Sequence, residues 1–286
     1  MDKLKVIIVV GFLTLMGFPI IAGGGWTSKK NSAFVKFNQF ILVADRYYNP
    51  EGNSIPVEPT ISLFTSSVYA EYGITDRLTG VIYFPFFSRS TLNSLKKLNG
   101  TISEGDELNS LGDTDLTLKY GLIQNKSIVV STSLTLGLPL GVSAGGSTKS
   151  LATGDGEFNQ MITMEASHSF YPVNAYLTAL VSLNNRTKSL SDEFRYGLEA
   201  GYTYKKFIGI MRLYGVKSLN NGSTTIDPVQ GVFSNNVEYM SLTYELAYNF
   251  SDKFGLSVSK GTAFSGKRIL ANPTYTIGAY LNFGGN

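Results

Sequence analysis

Every second residue from Met240 to Phe250 is apolar: Met240, Leu242, Tyr244, Leu246, Tyr248, Phe250. The residues between and beside them, Tyr239, Ser241, Thr243, Glu245, Ala247 and Asn249, are mostly polar. A side-chain period of two belongs to a β-strand, so this stretch is a strand with one greasy and one wet side. The same alternation recurs along the chain. It marks strands near 32–45, 60–72, 79–89, 112–123, 127–139, 158–170, 174–185, 193–204, 207–218, 236–250, 254–264 and 272–283. Phe34–Ala44 and Val81–Phe87 are apolar on both faces, and their sides are not assigned by pattern.

The connections alternate in length. Gly73–Leu78, Gln124–Lys126, Tyr171–Val173, Lys205–Lys206 and Ser251–Lys253 are tight. Arg46–Pro59, Ser90–Leu111, Leu140–Glu157, Arg186–Asp192, Leu219–Asn235 and Ser265–Ala271 are longer and polar. In Ser90–Leu111 the spacing of Leu92, Leu95 and Leu98 predicts a short helix over the mouth.

A period of two does not say which side faces in. A soluble sandwich and an inside-out barrel share it. Three features favour lipid. The strands run to ten residues or more, whereas globular strands cluster near 5–6 and tilted membrane strands need about 9–11. Rings gather beside the tight turns: Tyr72, Phe170, Tyr171, Tyr202, Tyr204, Phe207, Tyr248, Phe250 and Phe254. Such a girdle suits an interface that is half hydrocarbon and half water. The third is export, which the signal peptide read at residues 1–22 supplies. Low charge agrees: charged residues are 16% of the chain, against roughly 25% in soluble domains, while Gly, Tyr and Phe are abundant. Bilayer physics then demands closure, because an open edge leaves unpaired N–H and C=O groups in lipid. The expectation is all-β: a closed antiparallel transmembrane β-barrel of about twelve strands, with short periplasmic turns and longer extracellular loops, spanning residues 23–286.

Residues 1–22 read as a signal peptide. Lys3 and Lys5 precede an apolar run from Val6 to Ala22 that Gly and Pro break near its end. There is no Cys, so no disulfide, lipidated thiol or thiolate chemistry is available. A net charge of +3 without a basic stripe argues against nucleic acid.

The last strand, Thr276-Ile277-Gly278-Ala279-Tyr280-Leu281-Asn282-Phe283, resembles the C-terminal signal read by the bacterial outer-membrane assembly machinery. Thr276, Gly278, Leu281 and Phe283 occupy its fixed positions, and Gly284-Gly285-Asn286 follow the terminal aromatic. Three further stretches are Gly112-Asp113-Thr114-Asp115-Leu116-Thr117-Leu118-Lys119-Tyr120, Leu136-Gly137-Leu138-Pro139 with Thr153-Gly154-Asp155-Gly156, and Tyr72-Gly73-Ile74-Thr75-Asp76-Arg77-Leu78. Together they resemble a family of outer-membrane transporters labelled as involved in the meta-pathway of phenol degradation. The resemblance implies a barrel that passes small, often hydrophobic or aromatic compounds. It carries over no binding residues. The partners expected are outer-membrane lipids, the assembly machinery and an unidentified solute.

No cofactor or metal is expected. Leu151–Asn159 holds Gly-Asp-Gly but lacks the alternating carboxylates of a calcium loop. His168, the one histidine, stands near a tight turn on lipid-side parity, where it suits an interfacial ring better than a lipase base. The chain is therefore expected not to be an enzyme.

The inward charges are the candidate site. Lys119, Glu165, Glu199, Arg212 and Glu245 lie four to seven residues from tight turns. At about 3.3 Å per residue they fall near one level of the lumen. If Lys205-Lys206 closes a two-residue hairpin, Glu199 faces Arg212. Arg195, Asp115 and Glu71 add inward charge. Two readings of this belt stay open: ion pairs that brace the wall, or a constriction that selects solutes by charge and size. Eight strands enclose only side chains and sixteen a water channel, so twelve leave room for a narrow passage and not for a wide unselective pore. A barrel whose loops bind a surface partner and a lipid-modifying enzyme are the alternatives to a channel.

Overall fold

A computed structural model describes residues 24–96, 100, 102–187, 190–223 and 233–284. Residues 1–22, the expected signal peptide, lie outside them, as does Leu98. Twelve long strands form the wall: β1 Ala33–Tyr48, β2 Ser54–Thr75, β3 Leu78–Leu92, β4 Thr114–Ile123, β5 Ile128–Leu138, β6 Asn159–Ser169, β7 Ala175–Arg186, β8 Glu193–Tyr204, β9 Phe207–Ser218, β10 Glu238–Asn249, β11 Phe254–Lys267 and β12 Thr274–Phe283. Each pairs antiparallel with its neighbours in sequence. β1 pairs with both β2 and β12, which closes the barrel and leaves no edge.

The wall is inverted relative to a soluble protein. Outward Leu118, Leu134, Ile162, Met164, Leu183 and Leu246 are exposed, Ile162 by 59%. Inward Ser131, Ser133, Thr135, Thr163, Ser167, Thr178 and Ser182 are buried, Ser131 completely. Water would expose every outward Leu at a cost of about 1.5–3 kcal/mol each. A bilayer removes that cost, and closure satisfies the backbone within it.

The two strands that were apolar on both faces have separate causes. In β1, Leu42 and Ala44 point inward and pack with Leu63 of β2 and Leu270, with Phe40, Tyr47 and Ile61 around them. Phe37 and Val43 face lipid. In β3, the register shifts where Ser66 and Val68 meet Phe87 and Phe84, so Phe86 and Phe87 are both exposed.

Two loops differ from expectation. The Arg46–Pro59 link is a tight turn on longer strands. β1 and β2 run on to Tyr48 and Ser54, where Asn49 N–H donates to Asn53 O at 3.0 Å and Gly52 N–H to Asn49 O at 2.9 Å. Above the membrane both faces of a strand are wet, so the alternation that would reveal it vanishes. In Ser90–Leu111 no helix forms among the described residues. Asp106–Ser110 instead extends the ladder on β3, from Ser88↔Ser110 to Leu92↔Asp106, and Leu95–Lys96 pairs with Ile102–Ser103. Helical leucine spacing lost to strand pairing along an edge already in place.

Candidate functional site

The lumen is crossed near the periplasmic turns by the chain's own Gly24–Ser32. Gly25 N–H donates to Ser167 Oγ at 2.7 Å, and the Gly25 carbonyl accepts from Gln124 Nε2 at 2.9 Å. Ser28 N–H donates to Thr79 Oγ1 at 2.9 Å, Ser28 Oγ to Glu71 at 3.2 Å, and Thr27 Oγ1 to Asp76 O at 2.8 Å. Trp26 sets its ring edge-on to Tyr176 at 5.8 Å. The segment thus spans from β3 to β6 and β7. Gly24 has φ +56°, and a Cβ there would stand 2.7 Å from Thr178 Oγ1, so only glycine reaches this depth.

Around the segment runs a layer of ion pairs. Lys119 Nζ donates to Glu165 at 2.7 Å and to the Gly24 carbonyl at 2.8 Å. Opposite, Lys36 pairs with Glu245 at 2.5 Å, Glu245 with Arg212 at 2.7 Å, and Arg212 with Glu199. Glu199 also accepts from the Tyr176 hydroxyl at 2.8 Å, and Glu71 from the Tyr69 hydroxyl. The Lys205-Lys206 turn sets Glu199 directly against Arg212 in the ladder. Next to this layer Ile208, Ile210, Ala247 and Tyr280 pack with Phe34 inside the barrel.

Arg195 and Asp115 do not join this layer. Arg195 is four residues nearer the extracellular end of β8 than Glu199, about 13 Å along the strand. It pairs with Glu193 at 2.6 Å, Glu193 with Arg186 at 3.2 Å, and Arg186 with Asp155 at 2.9 Å. Asp115 sits beside Gly137 on β5, at this upper level. The inward charges therefore form two layers, because Arg195 and Asp115 each stand four residues further from the tight turns than Glu199 and Lys119 on the same strands.

The upper layer anchors a loop. Asp113 accepts from Gly141 N–H at 2.9 Å and Asp155 N–H at 2.7 Å. Leu140–Glu157 folds inward, so Leu151, Ala152, Thr153 and Glu157 are buried. Asp106 ties the loop's tip, accepting from Ser147 N–H at 3.0 Å and from Thr148 N–H and Oγ1 at 2.9 and 2.6 Å. Those donors hold Asp106 far below the usual carboxylate range. Burial pushes the Asp113 carboxyl up to about 6, against the two N–H donors.

Sequence reasoning missed Lys36, Arg186, Asp155, Glu193 and the Gly24–Ser32 crossing. Lys36 was hidden in a doubly apolar strand. Arg186 and Asp155 fell in segments read as loop. The run Gly23-Gly24-Gly25-Trp26, small residues and one ring, was the available signal for the crossing.

Of the residues that resemble an assembly signal, Leu281 and Phe283 point outward on β12 and Gly278 points inward, where a Cβ would crowd Asn38 and Lys36. His168 lies on the rim, its Nδ1 2.7 Å from the Ser127 carbonyl oxygen and its ring against Phe170.

Neither protein-family models nor curated proteins match the chain. Solved structures do. The COG4313 outer membrane channel from Pseudomonas putida F1 is 12% identical, with 92% of this chain and 100% of that chain covered and a TM-score of 0.68. The β domain of the Bordetella autotransporter BrkA is 13% identical, covering 88% and 100%, with a TM-score of 0.50. A weaker likeness, TM-score 0.43 at 11% identity, is to the Ralstonia pickettii toluene transporter TbuX, with 90% of each chain covered. The likeness is one of fold: this chain is a closed twelve-stranded antiparallel barrel like those of these outer-membrane proteins.

Proposed function

We propose that the protein is an outer-membrane channel for small, weakly polar or aromatic solutes, closed in this state by its own N-terminal segment. One observation carries the reading. The segment that fills the lumen is held by hydrogen bonds to polar wall residues, Lys119, Ser167 and Thr79, and not by a continuous apolar core. Contacts of that kind are worth about 0.5–1.5 kcal/mol each when neutral, and exchange with water at modest net cost. The segment is thus removable in a way that a wall strand is not.

The rest of the lumen suits such a solute. Ion pairs narrow it, while the partly buried Phe34 and, higher up, Phe40 pack on apolar clusters inside the wall. The sequence resemblance to transporters of the phenol meta-pathway agrees with that solute class. The same reading makes the protein a channel rather than an enzyme: its one histidine stands at the periplasmic-turn end of the wall, on the lipid side, with Nδ1 2.7 Å from the Ser127 carbonyl oxygen.

The test is single-channel recording in planar bilayers, paired with liposome swelling in phenol, benzoate and sugars. The intact protein is expected to conduct little. Deleting residues 24–31 is expected to open steady channels, with phenol and benzoate entering faster than sugars of similar size. Equal, low conductance before and after deletion defeats the proposal. Glu199→Gln in the open form should alter ion preference if the belt also selects.

A further inference from the structure

The lipid-facing wall carries two grooves close to the periplasmic turns. One, of about 560 Å³, lies across β7–β10 and is lined by Leu177, Ala200, Tyr202, Gly209, Met211 and Tyr244. The other, of about 590 Å³, lies across β1–β5 and is lined by Ala70, Tyr72, Ile74, Gly80, Ile82 and Leu118. They sit on well-separated stretches of the wall yet are built alike. In the ladders Tyr202 faces Gly209, and Tyr72 faces Gly80. Each tyrosine follows an alanine by two residues, Ala200 and Ala70. Each glycine follows a cation by three: Lys206-Phe207-Ile208-Gly209 and Arg77-Leu78-Thr79-Gly80.

The two glycines have no internal reason to be glycine. Neither has a positive φ. A Cβ on Gly209 would meet nothing within 4 Å, and one on Gly80 would find only Ile74 Cδ1 at an ordinary 3.6 Å. Every other glycine of the twelve wall strands would press a Cβ closer than 3.4 Å to a neighbour. The contrast is clearest on β9 itself, where the Tyr196 ring lies over Gly215 while nothing lies over Gly209. A strand glycine costs roughly 0.5–1 kcal/mol relative to alanine. An open one marks a place where another molecule comes close to the backbone.

What comes close is set by the surroundings. The grooves are apolar and open onto the bilayer. Lys205 and Lys206 stand exposed at the turn beside one, and Arg77 beside the other. Nearby charges include Asp76, which already accepts from Lys30 N–H at 3.0 Å, Lys126 on the turn next to Arg77, and Lys253 and Asp252 on the next turn from Lys206; Lys206 Nζ lies 3.4 Å from the Phe250 carbonyl oxygen and Lys205 Nζ over the Tyr204 ring. Each cation stands on the turn, about 10 Å along the chain from its glycine and of opposite parity, so its long side chain reaches the lipid side around the rim. That offset matches an amphiphile with an anionic head at the turn and a chain in the groove. Ammonium and guanidinium groups bind phosphate through charge-assisted hydrogen bonds.

We propose that the two grooves are paired binding sites for anionic phospholipids of the periplasmic leaflet. In each, one acyl chain lies over the open glycine and the phosphate is held by the cation three residues before it.

Native mass spectrometry of the full mature chain, refolded in detergent and titrated with palmitoyl-oleoyl phosphatidylglycerol or phosphatidylcholine, tests this. Two phosphatidylglycerol molecules should be retained per chain, with phosphatidylcholine about tenfold weaker, the range expected for one charge-assisted contact. Gly209→Leu and Gly80→Leu should each remove one bound lipid, and Lys205→Asn with Lys206→Gln should weaken one site several-fold. Should a leucine variant fail to show heat-modifiable migration in gels, the smaller Gly209→Val takes its place. Unchanged lipid retention in the glycine variants overturns the proposal, as does equal retention of phosphatidylcholine. A dimer that these variants dissolve, or slowed toluene uptake with lipid retention intact, assigns the grooves to another occupant and likewise overturns it.

Discussion

The ammonium group of Lys119, halfway along β4, reaches 2.8 Å to the backbone carbonyl of Gly24, a residue that stands nine positions before the first strand begins. The same nitrogen pairs with Glu165 at 2.7 Å. One wall cation therefore both neutralises a lumen carboxylate and holds the crossing segment. Lys119→Met should cost about 3–5 kcal/mol, since Glu165 is left buried and unpaired. It should also loosen the segment, read as faster amide exchange over Gly24–Ser28 and raised conductance. The Lys119→Met, Glu165→Gln double variant should regain most of the stability in urea unfolding and keep the raised conductance.

Gly24 tests the crossing without touching charge. Alanine there must adopt φ near +56° and place its Cβ against Thr178 and Ser167. The backbone alone costs about 1–2 kcal/mol. Gly24→Ala is expected to expel the segment while the barrel's unfolding midpoint stays put. A midpoint that falls with no rise in conductance would show that the segment braces the wall instead of closing it.

Arg212 bridges Glu199 and Glu245, whereas Lys36 serves Glu245 alone. Arg212→Met should therefore destabilise more than Lys36→Met. A double-mutant cycle on Glu199 and Arg212 should return a coupling of about 0.5–3 kcal/mol, as for contacting groups of one network. Additive single effects would remove the case for a connected layer.

The inward loop should respond to acid through Asp113. Its carboxyl ionises near 3.8 ordinarily and near 6 when buried under Leu140–Glu157. A raised carboxyl pKa favours the folded state while the group is protonated. The contribution is complete below about pH 4 and is lost as pH rises through 6. After correction for intrinsic rates, amides of Leu140–Glu157 should exchange more slowly at pH 5 than at pH 7.5. Asp113→Asn, which stays neutral, should flatten that difference.

Phe283 faces outward at the end of β12 and is 50% exposed, so it contributes little to the lumen. If it serves as an assembly signal with Thr276, Gly278 and Leu281, Phe283→Ser should lower the amount of barrel assembled in cells several-fold. Refolding of the same variant in detergent should remain close to normal.

The wall was legible in the chain alone. Strand number and the two faces of most strands follow from a period of two, and the facing of Glu199 and Arg212 from one tight turn, which are local properties. The charges that the wall turns inward were legible for the same reason. Strand length and the ring girdle, not the period, said which face meets lipid, and the Arg46–Pro59 link departed from the expected alternation of short and long connections. What meets inside is set by contacts between strands far apart in the chain. Whether Lys119 holds Glu165, Gly24 or both depends on how strands distant in sequence close around a common axis. The upper layer depends on Arg186 and Asp155, which come from segments read as loop and meet Glu193 and Arg195 only in the folded chain, and the crossing of Gly24–Ser32 depends on a segment with no periodicity to read. The open faces of Gly80 and Gly209 appear only when every neighbour has taken its place, because a glycine in sequence does not tell whether its missing side chain leaves a space or a contact.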